Sequence, residues 1–469
     1  EALDYNAARV EKIKANAERL AELGLDVAKA QLTKASNSRK RVRATARAKA
    51  AKEARPKTPV RVSLRARGLT PDGTRADVKV VEPYSLASAA PSRPVRKEGP
   101  QPVSEMLAVG QDGDDAARVV GGLGSAPGLP APARKPSRQA KLMRATLKEG
   151  DVLKLVPDRV YSVAWHPSTT LAALVGDKWG KLGLWMPDKA EDAEKCVVFQ
   201  PHARPVCGIS VHAALPNTIT TCSYDGSVRS LDLESAVFNE VFVSEDDDMI
   251  TGVAHAPSPF VVYAGTSAGD LVTIDSRRKK PSTVTVHNRR VNCVHVSPKG
   301  NRVATSSHDC AVSVWDVRML NTKSKSPSLF TEAHGKTVVS AYFDCVRGRV
   351  RLGVCTGSKL LTTSLDNTVR VFSGAGFASQ VSVAHNNHTG RWLTNFRAAW
   401  DPADPSTFII GKMRDRVVQF YSGTTGKLAG DVGEASLLTA VPTLNAIHPV
   451  SDVILATTGS GRVHLFRAK

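Results

Sequence analysis

The sequence predicts an all-β fold, a seven-bladed β-propeller preceded by an N-terminal helix and a disordered basic arm. Three observations predict it: a strand pattern that recurs seven times after residue 141, a spacing of about 45 residues between copies, and a sharp change of composition before the first copy. The copies open on the apolar-rich strands "VYSVAWHP", "VCGISVHA", "ITGVAHAP", "VNCVHVSP", "VVSAYFDC", "FRAAWDP" and "LNAIHPV". A second strand, a tight turn with Asp or Gly and a third strand follow, as in "RVATSSHDCAVSVWD" and "FIIGKMRDRVVQFYS". A repeat of this size cannot bury its apolar faces alone, so neighbours must stack, and seven close a ring around a channel with loops on both rims. The segment "TLKEGDVLKLVP", ahead of the first copy, offers a spare strand to the last blade as a latch.

Before the ring come two other textures. Residues 1–33 contain "AARVEKIKANAERLAELGLD", with Val10, Ile13, Leu20 and Leu23 at helical spacing and Gly24 as a stop, which reads as an amphipathic helix. Residues 34–67 carry thirteen basic residues, one acid (Glu53) and no aromatic, so the run cannot form a core and reads as an extended cationic arm. From 68 to 140 Gly, Pro, Ser and Ala dominate, and the arm is expected to continue as a linker up to the propeller at 141–469.

Charge follows the same division. The chain has 64 Lys+Arg against 44 Asp+Glu, a net of +20, of which residues 1–150 hold 30 against 16. An excess of that size favours a polyanionic partner. The seven cysteines, at 196, 207, 222, 293, 310, 345 and 355, form no CxxC pair and lie mostly in apolar strands, which suits a reducing compartment. No apolar run is long enough to span a bilayer, and the opening "EALDYNAARV" has neither a signal-peptide pattern nor a Met, as if trimmed.

The repeat has its own chemistry. Its period matches the WD-repeat class, and the fourth copy places His287, Asp309 and Trp315 where such repeats bridge the strands of one blade by hydrogen bonds. His202 with Asp225 and His334 with Asp366 repeat the pair, so these histidines are read as framework. No Gly-rich phosphate loop, G-x-S-x-G elbow, H-E-x-x-H or paired-Cys zinc pattern occurs, so a binding protein without catalysis, metal or cofactor is expected.

Two motifs point to partners. Asp309 and the run Trp315-Asp316-Val317-Arg318 resemble the WDxR box with which substrate receptors dock on the propeller adaptor of cullin-RING ubiquitin ligases. Arg318 at a strand end could pair with an acidic adaptor surface, and the third copy ends in a weaker version, Asp275-Ser276-Arg277. The alternative is an ordinary repeat end followed by Arg.

The second motif is "HNNHTGRWLTNFRAAWDP", residues 385–402. Together with "VAWHPSTTLAALVGDKWGKLGLW", "PHARPVCGIS", "SYDGSVRSLDLESAVF" and "RVSLRARGLTPDG" it resembles the "changed mutation rate" family of WD-repeat DNA damage-binding proteins, relatives of the small propeller subunit of the UV-damaged-DNA-binding complex. The resemblance covers the propeller and reaches the N-terminal helix. It implies a nuclear, chromatin-associated protein that binds DNA in the damage response, with a possible role as ligase substrate receptor. In the UV-damage subunit a tripeptide before a Leu-Thr pair wedges the minor groove. Here Gly390-Arg391-Trp392 precedes Leu393-Thr394, and Gly390 stands where the wedge has an aromatic, which argues against a lesion-specific wedge.

The residue types still suit DNA. Arg391 can neutralise phosphate or enter a narrow groove, Trp392 can either wedge a base step or pack between blades, and His388 stands beside them. Lys178 and Trp179 in "GDKWG", Arg204 in "HARPV", Tyr224 and Arg229 around "YDGSVR", and Lys412, Arg414 and Arg416 in "GKMRDR" are expected to converge with them on one rim. Two other readings remain: a scaffold whose rim reads a peptide or histone tail while the arm directs nuclear import, and an RNA-binding protein whose Arg-rich arm orders on its target.

Overall fold

The structure is a computed structural model that describes residues 94–130, 138–189, 195–278, 280–320, 327–344, 357–390 and 392–468. The helix expected in 1–33 and the arm as far as residue 93 lie outside the described residues, as does Arg391.

The sequence repeat becomes seven antiparallel sheets, one per copy, six of four strands and one of five. Their inner strands are Val160–Trp165, Val206–His212, Ile250–His255, Val291–Val296, Val338–Phe343, Ala399–Asp401 and Pro442–Ile447. The seventh inner strand packs on the first, which closes the ring. The latch forms as expected: Val152–Lys154 pairs with Arg462–Arg467 of blade 7, Val152 opposite His464. Arg467 Nε reaches the Asp151 carboxylate at 2.8 Å beside it.

Apolar residues on the strands bury between blades. Seven hydrophobic clusters lie among the described residues, one at each junction; at junction 4–5, for instance, Val312 and Val314 meet Phe343, Leu360 and Phe372. The ring therefore has no single core, and its stability is a sum over neighbouring interfaces. Six inner strands carry the same irregularity, a bulge after their first residue, as between Val160 and Ser162 or Val291 and Cys293. A bulge increases local twist and re-aims one side chain, here toward the channel.

The segment read as linker is partly built into the fold, which corrects the domain boundary. Gln101–Pro102 adds a fifth strand to blade 2, Ala108 N–H donates to the Val198 carbonyl of blade 1 at 2.9 Å, and a helix α1 (Gly113–Gly124) follows. Asp112 caps α1, accepting from the Asp114 and Asp115 amides at 2.8 and 3.2 Å. Ala116, Val119, Val120 and Leu123, one helical face, bury with Phe199 of blade 1 and Phe238 of blade 2. The reason the segment reads as linker is Gly121, Gly122 and Gly124 inside the helix: packing overrides their low propensity. A short helix α2 (Arg138–Leu142) then sends Arg138 under blades 6 and 7, where Nε faces Asp401 at 3.3 Å and Nη1 donates to the Pro449 carbonyl at 3.0 Å.

Candidate nucleic-acid interface

One rim is made of the turns between second and third strands and the loops that enter each inner strand. Register brings them together: Val160 lies opposite Asp177, so Arg159 and Lys178 leave blade 1 at the same end, and Lys178 N–H donates to the Arg159 carbonyl at 3.0 Å. In blade 4 His308 N–H donates to the Arg290 carbonyl at 2.9 Å in the same way. Turns are fastened along this rim to the loop that leaves the fourth strand of their own blade. The amides of His202, His334 and His385 donate to the carbonyls of Gly180, Cys310 and Asn367 at 3.3, 2.8 and 3.0 Å. Gly180 is required at this approach: its φ is +90°, and a Cβ there would meet the His202 carbonyl at 2.1 Å.

The stretch from 385 to 398 departs from the repeat. Where the pattern "FRAAWDP" predicts a full strand, the regular strand is only Ala399–Asp401, with an isolated parallel bridge from Arg397 to Leu444 of blade 7, and the chain before it crosses the rim as a pinned loop. Asn387 is buried and holds the start, donating to the Ser364 and Thr368 carbonyls at 2.8 and 3.2 Å and accepting from His385 Nδ1 at 2.7 Å. Thr389 Oγ1 donates to Asn395 Oδ1 at 3.0 Å and pinches the loop. Leu393 lies over Gly459 of blade 7, and the Thr394 hydroxyl donates to the Val160 carbonyl of blade 1. Similar bonds link adjacent blades elsewhere in the ring. Ser162, Cys207 and Asn292 donate to the carbonyls of Val206, Ile250 and Val338 at 2.7, 2.9 and 2.8 Å, each the first inner-strand residue of the next blade.

Trp392 sits at the apex, with 82% of its surface exposed. It therefore does not pack between blades. Gly390 has φ +67°, in the left-handed region where a bulky aromatic would be strained, so the backbone itself disfavours a leading aromatic at this position. His388 and Asn386 are exposed on the same loop.

Lys178 and Trp179 of blade 1 lie together on the adjoining arc. The Lys178 ammonium stands 5.1 Å from the Trp179 ring centre, and Asp158 accepts from Trp179 Nε1 at 2.6 Å and faces Lys178 at 3.6 Å. Trp179 is thus held half-buried, with Lys178 over its face. Arg204 is exposed on the next loop. At the mouth of the channel Tyr161 and Tyr224 meet edge to face at 6.2 Å; Arg159 stacks on Tyr161 at 5.0 Å and Arg290 on Tyr224 at 5.8 Å. Burial pushes the Tyr224 hydroxyl up to about 12, so it stays protonated. Arg159, Tyr161 and Arg290 were not singled out from the sequence. Their signal is positional: Arg159 and Arg290 immediately precede the first inner-strand residue of their repeats, and Tyr161 is a bulge residue.

Exposed Arg289, Lys336, Arg414 and Arg416 continue the rim, and Lys412 is there too, paired with Asp415 at 2.6 Å. The acidic loop Glu245-Asp246-Asp247-Asp248 between blades 2 and 3 breaks the run of cations on this rim.

One expected contact is corrected. Arg229 is fully buried; its guanidinium donates to the Lys97 and Gly99 carbonyls and pairs with Glu240 at 3.2 Å, with Arg96 on the same carboxylate at 2.6 Å. It fastens the chain before α1 to blade 2 and cannot touch DNA.

The residues of the WDxR box separate. Trp315 is buried and donates from Nε1 to Thr305 at 2.8 Å, and Asp309 takes His287 Nδ1 at 3.0 Å on the rim just described, so both are blade framework. Asp316 and Arg318 lie at the opposite rim. Asp316 caps a short turn by accepting from Arg318 N at 2.9 Å, and its carboxylate takes the exposed guanidinium at 2.7 Å. Asp275 and Arg277 of blade 3 form the same fork, with two bonds of 2.9 Å.

The "WD domain, G-beta repeat" model matches residues 278–316, the stretch that contains His287, Asp309 and Trp315. Over 485 residues the chain is 31% identical to WD repeat-containing protein 76 of Xenopus laevis, covering 99% of itself and 80% of that protein. The chain belongs to the WD repeat-containing protein 76 family. It spans about half of the Mus musculus member, 52% of its length at 32% identity. The chain is also similar to fungal proteins named for DNA damage binding. DNA damage-binding protein cmr1 of Emericella nidulans is 30% identical, with 68% of this chain and 66% of that one covered, and CMR1 of Coccidioides immitis is 27% identical over 87% and 86%. For this WD repeat-containing protein 76 relative, the fold and family agree with the sequence expectation.

Proposed function

We propose that this protein is a non-enzymatic DNA-binding WD-repeat protein of the damage response, acting on chromatin in the nucleus, and that it holds duplex DNA on the rim carrying the 385–398 loop. The observation that carries the reading is convergence. His388, Trp392, Lys178, Trp179, Arg204, Tyr224 and Lys412 come from five parts of the chain and stand on one rim, with Trp392 exposed at its apex. Isolated surface cations have no such arrangement; a curved array of cations with aromatics between them matches phosphates with groove contacts. Arg391, whose place in this array comes from the sequence alone, is part of the proposal. The names of the fungal relatives agree with it.

The opposite rim is proposed as the docking face for the propeller adaptor of a cullin-RING ligase, through Arg318 and Arg277, so that DNA and adaptor would be held at the same time. Chromatin proteins would then be presented as substrates. The test of the first reading is duplex binding by the full chain at several salt concentrations. The Lys178→Ala/Arg204→Ala double variant is expected to bind at least about tenfold more weakly, with a shallower salt slope; unchanged affinity would remove the rim from the reading. Adaptor pull-down tests the second: Arg318→Ala with Arg277→Ala is expected to lose the adaptor while binding DNA normally.

A further inference from the structure

We propose that the central channel is a binding site for one acidic side chain, a carboxylate or phosphate presented by a partner polypeptide, with Arg397 as the residue that receives it. Arg397 stands on blade 6 two residues before Ala399, at the position filled by Ser162, Gly208, Gly252, Cys293, Ser340 and Leu444 in the other repeats, and its backbone bridges to Leu444 of blade 7. Its guanidinium lies within electrostatic reach of the hydroxyls of Tyr342 and Tyr224 and the thiols of Cys293 and Cys207, contributed by blades 5, 2 and 4. Residues of four blades meet only at the centre of the ring.

The surroundings lack a counter-charge. Arg397 is half-buried, whereas the two fully buried arginines each have a carboxylate, Arg138 with Asp401 at 3.3 Å and Arg229 with Glu240 at 3.2 Å. Among the described residues no carboxylate makes an ion pair with Arg397, and its Nε meets no acceptor of the protein. A half-buried guanidinium without an anion is under-compensated, and phenols and thiols offset its partial desolvation only in part. Supplying that anion from outside would therefore be favourable and would use a charge the fold already holds in place. At the entrance Arg159 and Arg290, stacked on Tyr161 and Tyr224, extend the positive field to the mouth.

The geometry selects the source. Phosphates of a duplex lie on a broad cylinder that rests on rim loops, whereas a site enclosed by four blades admits one extended side chain. An acidic or phosphorylated residue of a peptide has that shape, and a guanidinium binds either group through paired hydrogen bonds. The site does not depend on the rim reading.

The experiment uses the full chain and three otherwise identical Gly/Ser peptides with a central phosphoserine, glutamate or glutamine, at constant ionic strength, beside a DNA duplex. Fluorescence anisotropy and thermal unfolding are read together. The phosphoserine or glutamate peptide is expected to bind and raise the Tm, the glutamine peptide to do neither, and Arg397→Met to weaken binding at least about tenfold. Without peptide, Arg397→Met is expected to keep or raise the Tm, which a purely structural arginine would not allow. Arg397→Lys should retain part of the binding, and Lys178→Ala/Arg204→Ala should lose duplex but keep peptide. Equal binding of all three peptides, binding unaffected by Arg397→Met, a Tm loss in Arg397→Met without any peptide effect, or an Arg397 dependence seen with duplex alone would each overturn the proposal.

Discussion

Blades 4 and 6 solve the same packing problem in different ways. Blade 4 keeps the repeat: six inner-strand residues, His287 bridging Asp309 and Thr305 at 3.0 and 2.7 Å, and Trp315 closing on Thr305. Blade 6 has an inner strand of three residues, no such network among the described residues, and a loop that leaves its own blade to cap the Val160 carbonyl of blade 1. What blade 6 lacks in internal bonds is supplied from outside, by Arg138 of α2 against Asp401. The difference teaches where the repeat can be relaxed: fidelity is needed where blades hold themselves, and departure is tolerated where another segment braces the blade. The departure in blade 6 is also what lifts Trp392 to the rim.

Breaking the external brace should have the largest effect. Arg138→Ala leaves Asp401 buried beside Asp452 without its partner, and the loss of one member of a buried pair costs about 3–5 kcal/mol. Asp309→Ala removes from blade 4 the acceptor of His287 and of the Ala311 amide, at about 1–3 kcal/mol. Urea unfolding of both variants checks the order. A larger loss for Asp309→Ala would mean that blade 4 holds the ring more than the brace does.

Acid sharpens the comparison further. Burial lowers His166, His255, His334, His448 and His464, of blades 1, 3, 5 and 7, to about 4. An unfolded histidine titrates near 6.5, so below that pH the unfolded chain binds more protons than the folded one. Stability therefore falls until about pH 4, by roughly 1.4 kcal/mol per pH unit for each proton by which the two states differ. Asp177 and Asp401 act the other way: burial raises both to about 6, so their contribution falls as pH rises from about 4 to 6. Five groups against two leave a net loss on acidification. The Tm is expected to be level above pH 7 and to drop between pH 6 and 4; a Tm constant across that window would show that the histidines are not buried neutral.

These contrasts also explain what could be read in the sequence. The ring and its latch were legible because each repeat states its own strand and turn, and the His287, Asp309 and Trp315 network is local enough to be read from spacing. Arg229 was misread because its neighbour in "YDGSVR" is a rim turn, while its own side chain alternates inward to a chain segment about 130 residues earlier. α1 was missed because its glycines conceal an apolar face that has meaning only against blades 1 and 2. Arg397 was invisible for a similar reason: its neighbours belong to blades 2, 4 and 5, and no linear window contains them.

The smallest effect on stability is expected at the most exposed residue. Trp392→Ala removes a ring with 82% of its surface in solvent, so the folded state loses little apolar burial, within about 0.5 kcal/mol. The pins at Asn387, Thr389 and Thr394 remain, and the loop keeps its course across blade 7. Duplex affinity should nevertheless fall several-fold, because a stacking or groove contact is worth about 1–3 kcal/mol where it is made. The salt slope should stay unchanged, since no phosphate contact is removed. Lys178→Ala should do the reverse, with a shallower slope and a loss spread evenly over sequences. If Trp392→Ala instead lowered the Tm by several degrees, the loop of blade 6 would be another structural brace, and the division between the faithful blade and the relaxed one would no longer separate framework from function.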